Sequence, residues 1–484
     1  MKLSQLTEDI NIVRLEADPK LEVSGISYDS RKVKRGDAFV AISGFETDGY
    51  KYIPSAIANG AAVIICDRAP QEDIPYVLVE DCRYALALMS KNYFGAPAES
   101  MKVIGITGTN GKTTTTYLLK HLLEHTLGAK VGLVGTNGNM IGDEFIHTER
   151  TTPESFELQQ LFREMADAGC THVVMEVSSH SLVLNRVAGI RFAVGAFTNL
   201  TQDHLDFHHT MQAYAEAKAK LFGVCGVGCI NADDAWSAVM IKDAQCDLLR
   251  YSADGKDAEL TANNIKFMPS AVEFRAQFKG ESADVRLAIP GKFSVYNALN
   301  TIAIGLALGI SLADCAEAMS SAHGVKGRME VVPTDGDYTV IIDYAHTPDA
   351  LENALKALKA VTKERVVVLF GCGGDRDRTK RPIMGGIAAD NADFVIVTSD
   401  NPRTEEPQAI VNEILCGLEG KSTPHIAICD RVEAIKWAID NHRPNDVILL
   451  AGKGHEDYQV VGHEKHHMDE REIVAEHIEM RNKK

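Results

Sequence analysis

Short apolar runs alternate along this chain with stretches whose apolar positions recur at helical spacing. Runs of four to eight apolar residues bounded by polar or Gly-containing segments predict strands, and longer periodic stretches predict helices. In the first 310 residues the predicted strands lie at 38–42, 62–66, 76–79, 102–106, 171–177 and 192–199, and the predicted helices at 53–59, 112–125 and 297–308. The first part of the chain is therefore expected to fold into α/β layers.

The alternation is most regular beyond residue 338. Predicted strands lie there at 339–343, 365–370, 393–398, 426–428 and 446–451, and predicted helices at 349–360, 382–391, 407–418 and 432–441. This order predicts a mostly parallel, doubly wound sheet, in which ligand-binding loops lie at the carboxyl ends of the strands. Polar loops fall at these ends, namely Asp343 and residues 371–376, 400–403 and 452–456. We therefore expect a binding site at this sheet edge.

Length and composition refine this α/β picture. The 484 residues suggest about three domains, and breaks in the pattern place them at 1–97, 98–328 and 329–484, with a central P-loop-type nucleotide-binding domain and a C-terminal Rossmann-like domain. Apolar residues make up 45% and charged residues 24%, the balance of an ordinary globular protein. The net charge of −17 argues against a general nucleic-acid-binding protein, which needs a broad basic surface. Anionic ligands must therefore be held by local charge.

The cysteines and the N-terminus indicate a cytoplasmic protein. Ten cysteines are scattered without pairing intervals, and Glu8 and Asp9 lie where a secretion signal needs apolar residues. The apolar stretch at 301–313 is too short to span a bilayer. We expect reduced thiols, no membrane span, small-molecule substrates rather than nucleic acid, and a monomer.

The strongest chemical motif lies between the strand at 102–106 and the helix at 112–125. It consists of Thr107, Gly108, Thr109, Asn110, Gly111, Lys112, Thr113 and Thr114. Backbone N–H groups in such a turn bind phosphate, while Lys112 adds a positive charge and the Thr113 hydroxyl suits Mg²⁺. Ile106 stands where the usual P-loop pattern has its first glycine, so the spacing is a variant. The motif predicts a cradle for nucleotide phosphates rather than a simple strand-to-helix turn.

Two polar clusters follow strands of the same predicted domain. Glu176 lies in the segment 175–180 and His204 in the segment 199–208, and both are candidate ligands of a Mg²⁺ that bridges nucleotide phosphates. Taken alone, each is equally consistent with a polar cap at the end of a strand. Lys218 lies in a predicted helix at 211–222, and taken alone it is expected to be a solvated lysine.

Two further motifs have structural explanations. Thr347 and Pro348 suit the N-cap and the first turn of a helix, which leaves Asp343 and His346 as candidate functional residues. Residues 463–467 match the zinc-protease pattern of two histidines flanking a glutamate, but they follow a strand-like run rather than opening an apolar helix. This segment is expected to be a surface hairpin.

Together these motifs resemble the Mur ligases of peptidoglycan synthesis. The resemblance is carried by the cradle, Glu176, His204, Asn297, Asn300, Gly327 to Glu330 and Asp343 to His346, and it extends over all three predicted domains. The segment from Asp400 to Arg403 is similar to that of members which add meso-2,6-diaminopimelate to the D-Glu side-chain carboxylate of UDP-N-acetylmuramoyl-L-alanyl-D-glutamate. The resemblance thus implies an amide-forming ligase that uses ATP and Mg²⁺.

The resemblance also implies roles for individual residues. It assigns ATP binding to the cradle and to Asn297, Arg328 and Asp343, and UDP binding to Ser30 and the segment Phe45, Glu46 and Thr47. It assigns muramoyl-peptide binding to Thr151, Thr152, Ser178 and Arg186, and diaminopimelate binding to Arg376, Asp400, Asn401, Pro402, Arg403, Gly452 and Glu456. The implied catalytic residues are Lys112, Glu176, His204 and Lys218, and the implied metal ligands are Thr113, Glu176, His204 and a carbamate on Lys218. The chain departs from the family pattern at Phe45, Glu46, Thr47, Arg150 and Leu184.

The expected reaction has two stages. ATP first converts the substrate carboxylate into an acyl phosphate, and the amine of the incoming amino acid then displaces phosphate. His204 and His346 are candidates for the base that deprotonates this amine. The alternatives are the L-lysine-adding form, a folylpolyglutamate-type ligase and a non-catalytic nucleotide switch. ADP release that requires both a UDP-muramoyl dipeptide and an amino acid would identify the muramoyl-peptide ligase, whereas a nucleotide switch would bind ATP without this dependence.

Overall fold

The computed structural model describes residues 1–44, 47–148, 150–322 and 324–483. The described chain divides into two compact units, one formed by residues 1–251 and 303–310 and the other by residues 252–302 and 311–483. No helix in these ranges is long and apolar enough to cross a membrane.

The first unit begins with a small α/β layer. Its elements are α1 (Leu3–Leu6), β1 (Ile12–Glu16), β2 (Ile26–Ser27), β3 (Ala38–Val40), α2 (Ile53–Ala58), β4 (Val63–Cys66), β5 (Tyr76–Val79) and α3 (Cys82–Tyr93). The strand order is β1-β5-β4-β3-β2, with β1 antiparallel to β5 and the other pairs parallel. Every residue of β4 is buried, which is the pattern of a strand covered on both faces.

The rest of the first unit is a larger, mainly parallel sheet covered by helices. Its elements are β6 (Lys102–Thr107), α4 (Lys112–Leu127), β7 (Val131–Val134), β8 (Asn139–Ile141), β9 (Glu144–Ile146), α5 (Ser155–Asp167), β10 (His172–Glu176), α6 (Ser179–Val183), β11 (Phe192–Phe197), α7 (Leu205–His208), α8 (Met211–Ala219), β12 (Cys225–Asn231), α9 (Ser237–Ile241) and β13 (Asp247–Ser252). These strands lie in the order β13-β12-β11-β6-β10-β7-β8-β9. Strands β13 to β7 run parallel, and β8 and β9 form an antiparallel edge.

The register of this sheet brings three strand ends together. Glu176 at the end of β10 pairs with Ile106 of β6, and Phe197 at the end of β11 pairs with Thr107 of β6. Gly105 permits the close packing of β6, since a Cβ there would lie 2.8 Å from the Phe192 ring. The loops that follow β6, β10 and β11 therefore start side by side.

The second unit begins with an antiparallel meander and ends with a doubly wound sheet. Its elements are β14 (Leu260–Met268), β15 (Ala271–Phe278), β16 (Glu281–Leu287), α10 (Lys292–Ala307), α11 (Leu312–Ser321), β17 (Glu330–Val332), β18 (Thr339–Asp343), α12 (Pro348–Lys359), β19 (Val366–Phe370), α13 (Lys380–Asn391), β20 (Phe394–Val397), α14 (Pro407–Leu415), β21 (His425–Ala427), α15 (Arg431–Asp440), β22 (Val447–Ala451), β23 (Tyr458–Val461), β24 (Glu464–His467) and α16 (Glu470–Asn482). Residues 303–307 of α10 are assigned to the first unit. The larger sheet has the order β17-β18-β22-β19-β20-β21, and only β17 within it is antiparallel to its neighbour.

The structure confirms the main elements predicted from the sequence. The doubly wound sheet is present, Thr347 caps α12 with Pro348 in its first turn, and residues 458–467 form the antiparallel hairpin β23–β24 rather than a zinc-binding helix. The meander β14–β16 was not predicted. Its strands are partly exposed, so their apolar residues alternate with polar ones instead of forming continuous runs.

Candidate active site

The phosphate cradle is a strand–loop–helix turn whose shape requires glycine. Gly108 has a φ of 147°, and a Cβ on it would lie 1.9 Å from Thr198 Oγ1. Gly111, with a φ of 85°, immediately precedes α4. Side chains are strongly disfavoured at such positions, so the glycines leave the backbone N–H groups accessible at the start of the helix.

The cradle is tied to the end of β11 by residues that the sequence analysis did not single out. Asn199 accepts the Thr109 N–H with its carbonyl oxygen at 2.8 Å and the Asn110 N–H with Oδ1 at 3.0 Å. Thr198 Oγ1 donates to the Asn110 carbonyl at 2.7 Å. For Asn199 and Thr198, the signal present in the sequence was a polar side chain directly after a buried strand. These bonds fix the loop before any ligand binds.

Lys112 is the first residue of α4, and its ammonium turns back over the loop. Nζ donates to the carbonyl oxygens of Gly108 and Thr109 at 3.0 and 2.9 Å. The positive charge is thus held inside the turn that was predicted to bind phosphate.

Glu176 is almost completely buried, with 1% exposure, at the end of β10. Its Oε1 accepts hydrogen bonds from Thr113 Oγ1 and from the Thr136 N–H, each at 2.9 Å, and its Oε2 accepts from Thr136 Oγ1 at 3.1 Å. The structure therefore brings the predicted ligands Thr113 and Glu176 into direct contact. Thr136, which follows β7, was missed because a single threonine in a loop carries no distinguishing pattern.

Three of the residues predicted to hold the muramoyl peptide surround Glu176. Thr152 Oγ1 donates to the Glu176 carbonyl at 2.8 Å and accepts the Ser178 N–H at 3.2 Å. Thr151 Oγ1 lies 3.0 Å from Thr136 Oγ1. The hydroxyl groups of these residues thus lie between the candidate magnesium ligands and α6, whose N-cap is Ser178.

Arg186, the fourth predicted peptide-binding residue, belongs to a cluster of three arginines around one carboxylate. Glu154 Oε1 lies 2.5 Å from Arg186 Nε and 3.2 Å from Arg150 Nη1, and its Oε2 lies 3.3 Å from Arg83 Nη1. Burial, only partly offset by Glu154, lowers the pKa of Arg186. Three guanidinium groups on one carboxylate leave an excess of positive charge, which suits an anionic substrate.

Arg150 and Glu154 also line a large cleft of about 1390 Å³. Tyr28, Asp29 and Arg31 line the same cleft, whereas the predicted UDP contact Ser30 is itself buried. Thr47 Oγ1 lies 3.1 Å from the Tyr52 hydroxyl. Leu184 is the C-cap of α6. Phe45 and Glu46, which were also predicted to contact UDP, lie outside the described residues.

The expectation that Lys218 is solvated is wrong. Its side chain is 2% exposed, Nζ donates to the Gly108 carbonyl at 2.9 Å, and the ammonium lies 4.5 Å from the centre of the Tyr214 ring. Burial, reinforced by the nearby Lys112 cation, holds the pKa of Lys218 well below its usual value. The buried surface of α8 extends beyond its apolar face and includes Lys218, which is therefore enclosed against the cradle.

His204 lies in a group of aromatic side chains close to Lys218. Its ring centre is 4.9 Å from that of His180 and 6.1 Å from that of Tyr214, and its Nε2 lies 3.4 Å from Asp203 Oδ2. About half of the imidazole is exposed. His204 is therefore accessible to a ligand next to the cradle.

The remaining predicted ATP residues lie in the second unit. Asn297 is buried in α10, and Asp343 Oδ2 accepts the Met329 N–H at 2.7 Å. Burial raises the pKa of Asp343, an effect opposed by the neighbouring Arg328. His346 Nδ1 lies 2.7 Å from the Tyr344 carbonyl and must donate to it, so its Nε2 carries the free lone pair in the neutral ring.

The predicted amino-acid residues gather at the carboxyl edge of the doubly wound sheet. Asn401 Nδ2 donates to Glu456 Oε2 at 2.9 Å, and Arg403 Nη1 donates to the Gly374 carbonyl at 2.8 Å. Gly452 has a φ of 114°, and a Cβ on it would lie 3.4 Å from Asp400 Oδ2. Pro402 is buried in the same loop, whereas Arg376 is exposed and donates to the Asp375 carbonyl.

Asp400 has an unusual environment within this group. Although its side chain is only 9% exposed, Oδ1 accepts no hydrogen bond from any described residue, and Lys453 Nζ lies 3.3 Å away. A buried carboxylate oxygen of this kind is suited to a ligand ammonium group.

Comparison with known proteins identifies the family. Family models described as the Mur ligase catalytic domain, the Mur ligase middle domain and the Mur ligase glutamate ligase domain match residues 22–93, 106–305 and 327–454. The chain belongs to the Mur ligase family. The resemblance inferred from the motifs is thereby confirmed, and the chain is an ATP-dependent ligase.

Full-length similarity extends to individual Mur ligases. The chain is 48% identical to a Clostridium botulinum protein named UDP-N-acetylmuramoyl-L-alanyl-D-glutamate--2,6-diaminopimelate ligase, over 95% of this chain and 96% of that one. It is also 48% identical to a protein of the same name from Caldanaerobacter subterraneus subsp. tengcongensis, over 96% of each chain. A solved structure of an enzyme with this name is 33% identical, with a TM-score of 0.78, and the match covers 100% of this chain and 99% of that one.

Proposed function

We propose that this Mur ligase adds meso-2,6-diaminopimelate to the D-Glu side-chain carboxylate of UDP-N-acetylmuramoyl-L-alanyl-D-glutamate. The observation that carries the proposal is the group of charged side chains at the carboxyl edge of the doubly wound sheet. The far end of diaminopimelate bears both a carboxylate and an ammonium group. Arg403 is suited to the former, and the carboxylates of Asp400 and Glu456 are suited to the latter.

The first unit would supply the activation of the carboxylate by ATP. A carboxylate does not react with an amine at neutral pH, so its oxygen first attacks the γ-phosphorus and ADP leaves. Charge neutralisation and positioning dominate such phosphoryl transfers. The backbone N–H groups at the start of α4 and the ammonium of Lys112 serve both purposes.

The residues at the cradle also fit a magnesium ion. Thr113 Oγ1 and Glu176 Oε1, which lie 2.9 Å apart, are hard oxygen donors of the kind that Mg²⁺ prefers. No group of three or more His, Cys, Asp or Glu side chains in the described ranges is arranged to bind a metal, so further ligands would come from phosphate oxygens, His204 and a modified Lys218. The ion, when bound, neutralises charge on the transferring phosphoryl group.

The burial of Lys218 supports its conversion to a carbamate. Because its pKa is lowered, a larger fraction of the amine is neutral, and the nitrogen lone pair can attack the carbon of CO₂. One N–H proton is then lost to water, and the lysine carries a carbamate anion. This change replaces a cation by an anion beside the cradle and supplies a metal ligand.

The second stage is attack of the diaminopimelate amine on the acyl phosphate. The nitrogen must lose a proton, and the phosphate departs from a tetrahedral intermediate. His204, half exposed beside the cradle, and His346, whose Nε2 is free to accept a proton, are the two candidates for the base.

Substrate binding in the first unit follows the same proposal. The cleft lined by Asp29, Arg31 and Arg150 would hold the UDP-linked sugar, with Ser30 and Thr47 nearby in the chain. Thr151, Thr152, Ser178 and Arg186 would hold the peptide. We propose that the protein works as a monomer in the cytoplasm.

A ligation assay tests the proposed function. ADP release should require both the UDP-muramoyl dipeptide and an amino acid, and meso-diaminopimelate should be preferred to L-lysine by a factor of about 10⁴, because lysine would leave Arg403 unpaired. Equal use of the two amino acids would refute the specificity. Glutamylation of a folate in place of the muramoyl dipeptide would indicate a folylpolyglutamate-type ligase, and ATP binding without turnover would indicate a nucleotide switch.

A further inference from the structure

Lys453 is a fully buried lysine among the polar loops of the second unit. Its side chain has no exposed surface, and its Nζ donates to Asn401 Oδ1 and to the Tyr458 carbonyl, each at 2.6 Å. The same ammonium lies 3.3 Å from Asp400 Oδ1 and 3.4 Å from Glu456 Oε2. One buried cation therefore contacts three of the side chains proposed to bind diaminopimelate.

This contact determines the orientation of the Asn401 amide. Oδ1 must be the atom that faces Lys453, because an ammonium has no acceptor, and Oδ1 also accepts the Val460 N–H at 2.9 Å. Nδ2 is consequently directed at Glu456 Oε2, 2.9 Å away. With Oε2 already held, Oε1 of Glu456 remains for a ligand.

The hairpin β23–β24 also holds the Asp400–Arg403 loop, through backbone and side-chain hydrogen bonds. The Arg403 N–H donates to the Val460 carbonyl at 3.0 Å, and the Gly462 N–H donates to the Arg403 carbonyl at 2.7 Å. Gln459 Nε2 donates to the Asp400 carbonyl at 2.7 Å. Arg403 has a φ of 52°, an uncommon conformation for a residue with a side chain, and the hairpin bonds on both of its backbone groups hold it there.

We propose that Lys453 and the hairpin β23–β24 act together as a positioning device for amino-acid specificity. They preset the Asp400–Arg403 loop and Glu456 for the two charges at the far end of diaminopimelate, and they take no part in ATP chemistry. The inference rests on the proposed function. It assigns a role to a lysine and a hairpin that do not themselves need to touch the substrate.

Steady-state kinetics of the full-length enzyme with Lys453→Met test the inference. The KM for meso-diaminopimelate should rise about tenfold or more, whereas the KM values for ATP and the UDP-muramoyl dipeptide stay within about twofold, because only the amino-acid groups lose their alignment. Lys465→Met is the matched control. Lys465 lies on the same hairpin with Nζ 4.1 Å from the Tyr458 ring centre but is exposed, and its loss should change none of the three values.

Gln459→Ala provides a second test that does not disturb a buried charge. It removes one hairpin contact to the loop and should raise the KM for diaminopimelate about threefold, again without effect on ATP. If Lys453→Met does not fold, as judged by circular dichroism and ADP-dependent thermal stabilisation, the Gln459→Ala result decides. An unchanged KM in the folded variants, or an equal loss for all three substrates, would overturn the inference. Absence of ligation by the unmutated enzyme would instead refute the proposed function, and this inference with it.

Discussion

The phosphate cradle and the Asp400–Arg403 loop both follow buried strands, but they are built in opposite ways. The cradle is shaped by glycines and by backbone hydrogen bonds to Asn199. The Asp400–Arg403 loop is shaped by side chains, with Lys453 buried among carboxylates and an amide. Backbone groups suit a ligand that presents uniform phosphate oxygens, whereas side chains suit a ligand whose charges must be told apart.

This difference predicts different responses to mutation. Substitution at the cradle should reduce the rate with every amino acid equally, because it acts before the amino acid enters. Substitution at the side-chain-built loop should change which amino acid is used. The following variants test that division.

Arg403→Ala is expected to change amino-acid selectivity more than any other of these variants. The ratio of kcat/KM for meso-diaminopimelate to that for L-lysine, proposed to be about 10⁴ in the unmutated enzyme, should fall by at least about a hundredfold, because only diaminopimelate loses a carboxylate partner. The measurement is competition between the two amino acids in one ligation assay. Arg378→Ala, at an exposed arginine paired with Glu413, is the matched control. An unchanged ratio in Arg403→Ala would remove this residue from specificity.

Lys218→Ala should be nearly inactive with either amino acid, on the order of 10³-fold below the unmutated enzyme, if a carbamate is a metal ligand there. Small carboxylates such as formate or acetate should restore part of the rate by replacing the lost anion. The readout is turnover with and without added carboxylate, and Lys220→Ala, at an exposed lysine two residues away, serves as control. Full activity of the alanine variant would exclude the carbamate.

Lys112→Ala should lower kcat about a hundredfold or more for both amino acids, since the loss of one transition-state charge contact is worth on the order of 3 kcal/mol. The fold should be retained, because the hydrogen bonds from Nζ to the Gly108 and Thr109 carbonyls lie within the cradle itself. Lys102→Ala, at the exposed start of β6, should behave like the unmutated enzyme. A selective loss with diaminopimelate alone would contradict the division between the two loops.

The smallest effect is a pH dependence of stability from His455. Burial, reinforced by the nearby Arg328, lowers the pKa of His455 to about 4. The unfolded chain then binds more protons than the folded one between about pH 4 and 6.5, so stability is complete above this window and falls as the pH falls through it. His455→Gln should reduce the loss of stability between pH 7 and pH 5 by on the order of 1 kcal/mol, measured by urea denaturation. His425→Gln, at an exposed histidine of the same unit, is the matched control.

The sequence predicted the second unit well because its central strands are apolar throughout. In β19 and β22 every residue is buried, so continuous apolar runs and their flanking helices were visible without knowledge of partners. Strand β15 was overlooked because it is partly exposed, so its buried residues alternate with exposed ones and form no continuous apolar run. Strand prediction here succeeded where burial is complete on both faces.

Site prediction was limited by contacts between distant residues. Thr113 and Glu176 were both singled out, but Thr136, which donates to Glu176, has no local pattern. Asn199, which holds the cradle, was marked only by its place after a buried strand. Lys453 lies 52 positions from Asn401, and no motif reveals that their side chains meet. The burial of Lys218 follows from packing around α8 and is likewise absent from local sequence.

The three arginines around Glu154 have a consequence for how fast an anionic substrate reaches the protein. The molecule carries a formal charge of −17, so at long range it repels such a substrate, while the arginine cluster attracts it only within a few ångströms. Raising the ionic strength from about 0.01 to 0.15 M shortens the screening length from roughly 30 to 8 Å, which removes the repulsion before it weakens the short-range attraction. Encounter with the nucleotide substrate should therefore accelerate as salt is added over this range, the reverse of ordinary electrostatic steering.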